Sequence, residues 1–327
     1  MNVKNLPAIF LYAACPLIFI GCSRADKPAA DEPQLVDAVY WSAAFEEDTP
    51  AADSVAGAIR DNTPVCLVPQ ASGVITYSNE LAAIDASNVS EGYIMVNYKG
   101  ANPQVKLQIS RDNGVTYTYN LHGGYEAFPL SEGSGEYKIS VYENITGSQY
   151  ATAISQTIGA DISNEFGPYL YPNQYVNFNS SSAVVEKARQ LAENCSSDLD
   201  VVANIYNYAT TIVYDHSKAE LVKSGYTPNV DAVMESGTGI CLDYAALMAS
   251  MLRSQNIPTR LEVGYAGSAY HAWISTYITD KGWINGVIEF NGKNWTLMDP
   301  TFAANSSEAS LKSFIGDGSN YTAKYIY

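Results

Sequence analysis

Cys241 is the residue whose setting first suggests chemistry. It stands in Gly237-Thr238-Gly239-Ile240-Cys241-Leu242-Asp243-Tyr244, and the chain then runs from Ala245 to Leu252 through residues rich in Ala, Leu and Met. Such residues favour helix, and Asn256-Ile257-Pro258 stops it. The thiol is thereby placed in a first helical turn. Free N–H groups and the positive end of the helix dipole favour an anion there. They would lower the thiol pKa and enrich the thiolate, the form that attacks. Taken alone, Cys241 reads equally well as a buried small hydrophobe. The histidines are His122, His216 and His271. None forms an i, i+4 pair, and no Cys/His spacing matches a structural zinc site. No EF-hand-type loop is present, so no metal and no other cofactor is expected. His216 is close enough to Cys241 in sequence to be weighed as its base. It shares a polar segment with Lys218 and Glu220, and a surface position is expected. His122, beside Gly123-Gly124, reads as a loop residue.

The elements that must position the thiol follow from periodicity. Helical patterning begins near Ser182, with Val184, Ala188, Leu191 and Ala192 on one stripe. Asp198 is read as the cap of a second helix whose apolar side is Val201, Val202, Ile205, Tyr206 and Ala209. The Cys241 helix is apolar on nearly every side and is expected to be buried on most faces. Tyr244 is assigned to the core and Asp243 to a structural role as a first-turn acid. Arg253 falls in the last turn. Arg260 to Tyr265 and His271 to Ile278 read as strands. Trp283 to Phe290 and Trp295 to Met298 read as two more, joined by the hairpin signal Asn291-Gly292. Asp299-Pro300-Thr301 ends the last of them.

In this order the chain resembles the transglutaminase-like superfamily, over roughly residues 180–305. The matching pieces are Gly239-Ile240-Cys241-Leu242-Asp243-Tyr244-Ala245, Met251-Leu252-Arg253, Ile257-Pro258-Thr259-Arg260, Gly264-Tyr265, His271-Ala272-Trp273 and Asp299-Pro300-Thr301. Each is weak alone; their order makes the signal. The resemblance implies an α+β fold with a papain-like/transglutaminase-like core, in which the cysteine helix packs on an antiparallel sheet. It implies Cys241 as nucleophile, with His271 and Asp299 completing a triad from neighbouring strands. Trp273 is a candidate wall of the substrate cleft, and equally a core aromatic. The strand from Trp283 to Phe290 is a departure, because the shortest members go straight to the aspartate strand.

The residue types suit acyl transfer. A thiolate attacks an amide carbonyl near neutral pH. Imidazole takes the thiol proton and returns it to the leaving amine. A carboxylate on the far ring nitrogen fixes tautomer and orientation. Backbone N–H groups at the Cys241 helix start supply one oxyanion donor. The resulting thioester is resolved by water, giving a peptidase or amidase, or by an amine, giving a cross-link. Hydrolysis is favoured, since nothing in the sequence announces an amine site. The competing reading is a binding or assembly lipoprotein that uses the same fold as a scaffold. Family members that have lost activity usually lose the cysteine or histidine, and this chain keeps both.

The rest of the chain bounds the setting. Lys4, the apolar run Leu6–Ile20 and Gly21-Cys22-Ser23 have the layout of a secretory signal, shorter than the ~20 residues of a bilayer span. Phe19-Ile20-Gly21-Cys22 resembles a bacterial lipoprotein signal box, which implies cleavage before Cys22 and lipid on it. The expectation is a secreted protein held at the cell envelope by an N-terminal lipid, with residues 1–22 as signal. Residues 23–62 are then tether and unassigned segment. The chain carries 34 acidic against 18 basic residues, which argues against nucleic acid as a partner. A protein or peptide substrate is expected, with cell-wall peptide among the options. Residues 63–160 show short alternating runs, Tyr93–Tyr98, Val105–Ile109, Val115–Tyr119 and Tyr137–Tyr142, which read as a small immunoglobulin-like β-sandwich. Residues 161–327 form the catalytic domain, entered through a linker with breakers at Gly167-Pro168 and Tyr171-Pro172. Cys66 and Cys195 pair or stay free; spacing does not decide.

Overall fold

The computed structural model describes residues 60–112, 114–279, 281–285, 287–290, 295–298 and 321–327. The expected signal, the lipidation site Cys22 and Asp299 lie outside the described residues.

The β-rich part consists of two antiparallel four-stranded sheets. The first has the order β1 (Thr76–Ser78), β2 (Ala82–Asp85), β3 (Tyr93–Tyr98), β6 (Gly124–Pro129). The second has the order β5 (Thr116–Leu121), β4 (Val105–Arg111), β7 (Gly135–Thr146), β8 (Gln149–Ala160). Alternation explains the buried layer. Val105, Leu107 and Ile109 of β4 point inward with Tyr137, Ile139 and Val141 of β7, while the residues between them are more exposed, apart from the buried Ser140. Tyr119 meets Phe128 of the other sheet edge-on, with ring centroids 4.8 Å apart. At the margin Asn79 Nδ2 donates to the Ala153 carbonyl at 2.8 Å. His122 is exposed just past β5.

The connection that follows is packed, unlike the open linker expected from its Gly and Pro content. Tyr169, Val176 and Phe178 are buried. Gly167-Pro168-Tyr169 forms a 3-10 turn. A Cβ on Gly167 would lie 1.9 Å from the Glu91 carbonyl oxygen, so glycine is there for a close backbone approach. The breakers mark a turn, and the aromatic residues around them supply the burial.

The remaining elements are α1 (Ala183–Ala192), α2 (Asp198–Ala209), β9 (Val213–Tyr214), α3 (His216–Leu221), α4 (Val230–Ser236), β10 (Thr238–Gly239) and α5 (Cys241–Ser254). After them come β11 (Thr259–Ala266), β12 (Ala269–Ile278), β13 (Gly282–Asn285), β14 (Val287–Phe290), β15 (Trp295–Met298) and β16 (Tyr321–Ile326). The sheet runs β13-β12-β11-β16, antiparallel throughout. The five residues assigned to the apolar side of α2 are all buried. Its cap is Ser197, not Asp198: Ser197 Oγ accepts from Asp200 N, and Asp200 Oδ2 accepts from Ser197 N. This reciprocal pair fills two orphan donors at once, which Asp198, already inside the helix, cannot do. Trp283 to Phe290 is two strands, since β13 pairs with β12 and β14 with β15. Cys66 and Cys195 are free thiols. Cys195 Sγ donates to the Leu191 carbonyl and accepts from Asn204 Nδ2.

Every residue of α5 from Cys241 to Ser254 is buried. The helix packs against α1, α2 and α4 on one side and against β11 and β12 on the other. That explains why apolar residues ring it.

Candidate active site

Cys241 is the first residue of α5 and is 2% exposed. The segment before it is pinned by a short parallel pairing, with Val213 N donating to the Gly237 carbonyl and Asp215 N to the Gly239 carbonyl. Gly237 takes φ +64°, a left-handed conformation that ends α4 and turns the chain toward α5. Ile240 caps α5 without a side-chain acceptor, so only half of a reciprocal cap forms: Asp243 Oδ2 accepts from Ile240 N at 2.9 Å.

Asp243 does more than cap. It is fully buried, and it also accepts from Lys218 Nζ at 2.6 Å and from the Tyr226 hydroxyl at 2.5 Å. Burial first, and then the hydrogen bond to Asp243, raise the Tyr226 pKa, so this hydroxyl stays a donor. Lys218 Nζ lies over the Tyr226 ring, 4.7 Å from its centroid. Reading Asp243 as a structural acid fits this geometry. The expected surface placement fits His216, which is exposed and meets Tyr214 edge-on. Lys218 instead reaches inward to the Cys241 helix.

At the far end, Arg253 is buried and donates to three carbonyls. They are Thr259 at 2.9 Å, Tyr171 at 2.7 Å and Tyr327 at 2.7 Å. One guanidinium thereby joins the packed connection, the start of β11 and the residue after β16 to the end of α5. Burial pushes its pKa down to about 9. Asn256, at φ +58°, makes the left-handed turn out of the helix, and Tyr277 N donates to the Pro258 carbonyl.

His271 lies in β12 opposite Gly264 of β11 and is 1% exposed. Its ring stacks on Trp273 with centroids 6.2 Å apart and planes at 20°, and Tyr321 of β16 closes on both rings. Trp273 is 5% exposed, within the packed layer. Gly264 is required by the strand beside it: a Cβ there would lie 2.0 Å from the Thr322 carbonyl oxygen, at the bulge where β16 crosses. The helix that opens on Cys241 and the strand that carries His271 are in direct contact. Tyr270, next to His271, has its pKa raised by burial first, with Cys241 among the neighbouring groups that add to the effect. Asp299, expected to complete the set, is outside the described residues.

Burial raises the pKa of Cys66 and of Cys195, so both are protonated near neutral pH. Among the described residues, no group of three or more His, Cys, Asp or Glu side chains is gathered as for a metal. Among them also, no helix is long and apolar enough to cross a membrane.

Residues 185–286 match the model of the transglutaminase-like superfamily, and this segment carries a transglutaminase-like core domain. The superfamily's members are cysteine peptidases or acyltransferases. Among curated proteins the chain is similar to the uncharacterized protein YebA of Bacillus subtilis (strain 168), 21% identical over 180 residues. That alignment covers 48% of this chain and 24% of YebA, so the chain spans about a quarter of that relative's length. Among solved structures it is similar to a cysteine-protease candidate from Cytophaga hutchinsonii, at 15% identity and TM-score 0.32, covering 69% of this chain and 79% of that one. It is also similar to the periplasmic domain of TgpA from Pseudomonas aeruginosa, at 15% identity and TM-score 0.30, covering 70% and 95%. Scores this low transfer no residue roles.

Proposed function

We propose that the chain is a cysteine-dependent amide hydrolase or acyltransferase working through Cys241, His271 and Asp299. What carries the reading is that the family match spans both Cys241 and His271, and that the helix opening on the thiol packs on the histidine strand. On this reading Cys241 Sγ attacks the substrate carbonyl and expels an amine, which takes its proton from His271. The Asp299 carboxylate orients the imidazole. First-turn amides of α5 donate to the oxyanion. Water then resolves the thioester and releases the acid. The substrate is a protein or peptide, and the protein is held at the cell envelope by lipid on Cys22, with the two-sheet unit as a separate recognition module.

Iodoacetamide alkylation resolved residue by residue tests the thiol–imidazole coupling. Cys241 should react fastest, and His271→Ala should slow it by roughly tenfold or more, leaving Cys66 and Cys195 unchanged. Equal, slow alkylation of Cys241 in both proteins would favour the scaffold reading. Mass spectrometry of an envelope extract incubated with wild type or Cys241→Ala then separates cleavage from cross-linking. Loss of the acyl-modified N-terminal peptide in Cys22→Ser tests the anchor.

A further inference from the structure

A cleft of about 380 Å³ opens between the two-sheet unit and the core sheet. Its walls come from three stretches: Leu130–Ser134 between β6 and β7, Ile162–Tyr169 in the packed connection, and Arg260 with Trp283 on β11 and β13. None of these residues belongs to the proposed triad. The volume is at the lower end of the range for small-molecule sites.

Arg260 dominates the chemistry of this cleft. Its guanidinium carbon lies 3.7 Å from the centroid of the Trp283 ring and 4.8 Å from that of Tyr169. Tyr169 is fixed in turn, donating from its hydroxyl to the Ser131 carbonyl at 3.0 Å. A guanidinium held by two aromatic rings is pre-organised, with its donor edge set by the rings. Among the described residues it forms no ion pair with a carboxylate within 4.0 Å. Arg260 Nε and Ser131 Oγ are both buried without a hydrogen-bond partner. Two unused donors in one wall are costly unless a ligand answers them. A carboxylate fits them, since a guanidinium fork takes both of its oxygens.

The opposite charge lines the same cleft. Glu132 and the exposed Glu165 are both wall residues. Glu132 accepts a hydrogen bond from Tyr117, which holds it in place. Ile162, half-buried, adds apolar surface.

We propose that this cleft binds a small zwitterion, a free α-amino acid or a dipeptide that brings both its charged ends into the cleft. The carboxylate lies on Arg260 and Ser131, the ammonium faces Glu132 and Glu165, and the side chain packs on Ile162. Because its walls come from both units, an occupied cleft fastens the two-sheet unit to the core sheet. This assignment stands independently of the triad.

The test uses the full chain with L-leucine, leucyl-leucine, N-acetyl-L-leucine and L-leucinamide, read by calorimetry and by Trp283 emission in wild type against Trp283→Phe. Leucine or the dipeptide should bind saturably and raise the melting temperature with concentration. The acetylated and amidated analogues, each lacking one charge, should bind roughly tenfold more weakly or worse. Arg260→Gln should abolish binding. Glu165→Gln, an exposed change that leaves the fold intact, should weaken it severalfold. Cys241→Ala should bind as wild type does, so loss of catalysis and loss of this site are separable. Absence of saturable binding by both leucine and the dipeptide overturns the assignment. Equal binding of all four probes, or unchanged binding in both Arg260→Gln and Glu165→Gln, overturns it as well.

Discussion

The two ends of α5 each bury an ionised side chain, and they keep it in different ways. At the start, Asp243 meets a full counter-charge, Lys218, together with a phenol and one backbone N–H. At the end, Arg253 has three carbonyl dipoles as its hydrogen-bond acceptors. Both signs suit the helix dipole, acid at the positive end and base at the negative end. The difference lies in what each group connects. Asp243 ties side chains around the Cys241 end, and its partner Lys218 keeps 29% of its side chain in solvent. Arg253 ties backbone to backbone across the connection, β11 and the segment after β16. One end can be adjusted by a single charge; the other is a joint on which several segments depend.

The largest effect is expected at that joint. Arg253→Ala takes a donor away from three carbonyls, of which that of Tyr327 keeps Leu261 N, and opens a cavity the size of a long side chain. At about 1–3 kcal/mol per unsatisfied group, partly relieved by water, the loss of stability should be about 3–5 kcal/mol. Urea unfolding followed by tryptophan fluorescence measures it. Arg253→Lys keeps the charge and loses the fork, so it should recover less than half of that loss. Full recovery by lysine would show that charge, not the three-way tie, is what matters at this end.

Asp243 should show a smaller loss in stability and a clearer effect on the thiol. Asp243→Asn keeps an acceptor for Ile240 N and gives up the ion pair, at a cost of about 1–2 kcal/mol. It leaves Lys218 as an uncompensated cation near the start of α5, so the pH midpoint for Cys241 alkylation should fall. Lys218→Met removes the cation and leaves the carboxylate, so the same midpoint should rise. Opposite shifts, each about a few tenths of a unit, distinguish an electrostatic setting from simple loosening. Two shifts of the same sign would erase the contrast between the ends.

The same contrast explains what could be read from the sequence. β3 was legible from its run of aromatic and branched residues and ends where expected, at Tyr93 and Tyr98. The apolar side of α2 was legible from its helical spacing. β2 was not, because Ala82, Ala83, Ile84 and Asp85 are all buried and show no alternation. β6 was hidden by the glycine that opens it and the proline that closes it. β16 pairs with β11 from far along the chain, and local pattern carries no signal of such a partner. The site divides similarly. The helix start at Cys241 and the acid at Asp243 follow from residue types at short spacing. That Lys218 reaches Asp243, or that Arg253 binds carbonyls of Tyr171 and Tyr327, depends on packing between distant segments. Gly264 had one available sign, its place in the family-like sequence, and its physical reason appears only when β16 lies against it.

Glu262 offers the finest test of how this region holds buried charge. It sits on β11 opposite Trp273 and is 7% exposed. Its pKa is raised from the ordinary 4.5, chiefly by burial, with Ser275, Arg260 and Trp273 pulling the other way. The folded state therefore binds this proton more tightly than the unfolded state does. Its contribution to stability is fully present below the unfolded pKa and is lost as pH rises through the folded value. Glu262→Gln should flatten stability against pH just above 4.5, with a slope change below about 1.4 kcal/mol per unit. Denaturant midpoints taken across that range decide it. If the slope is unchanged, the three polar neighbours fully offset burial at Glu262.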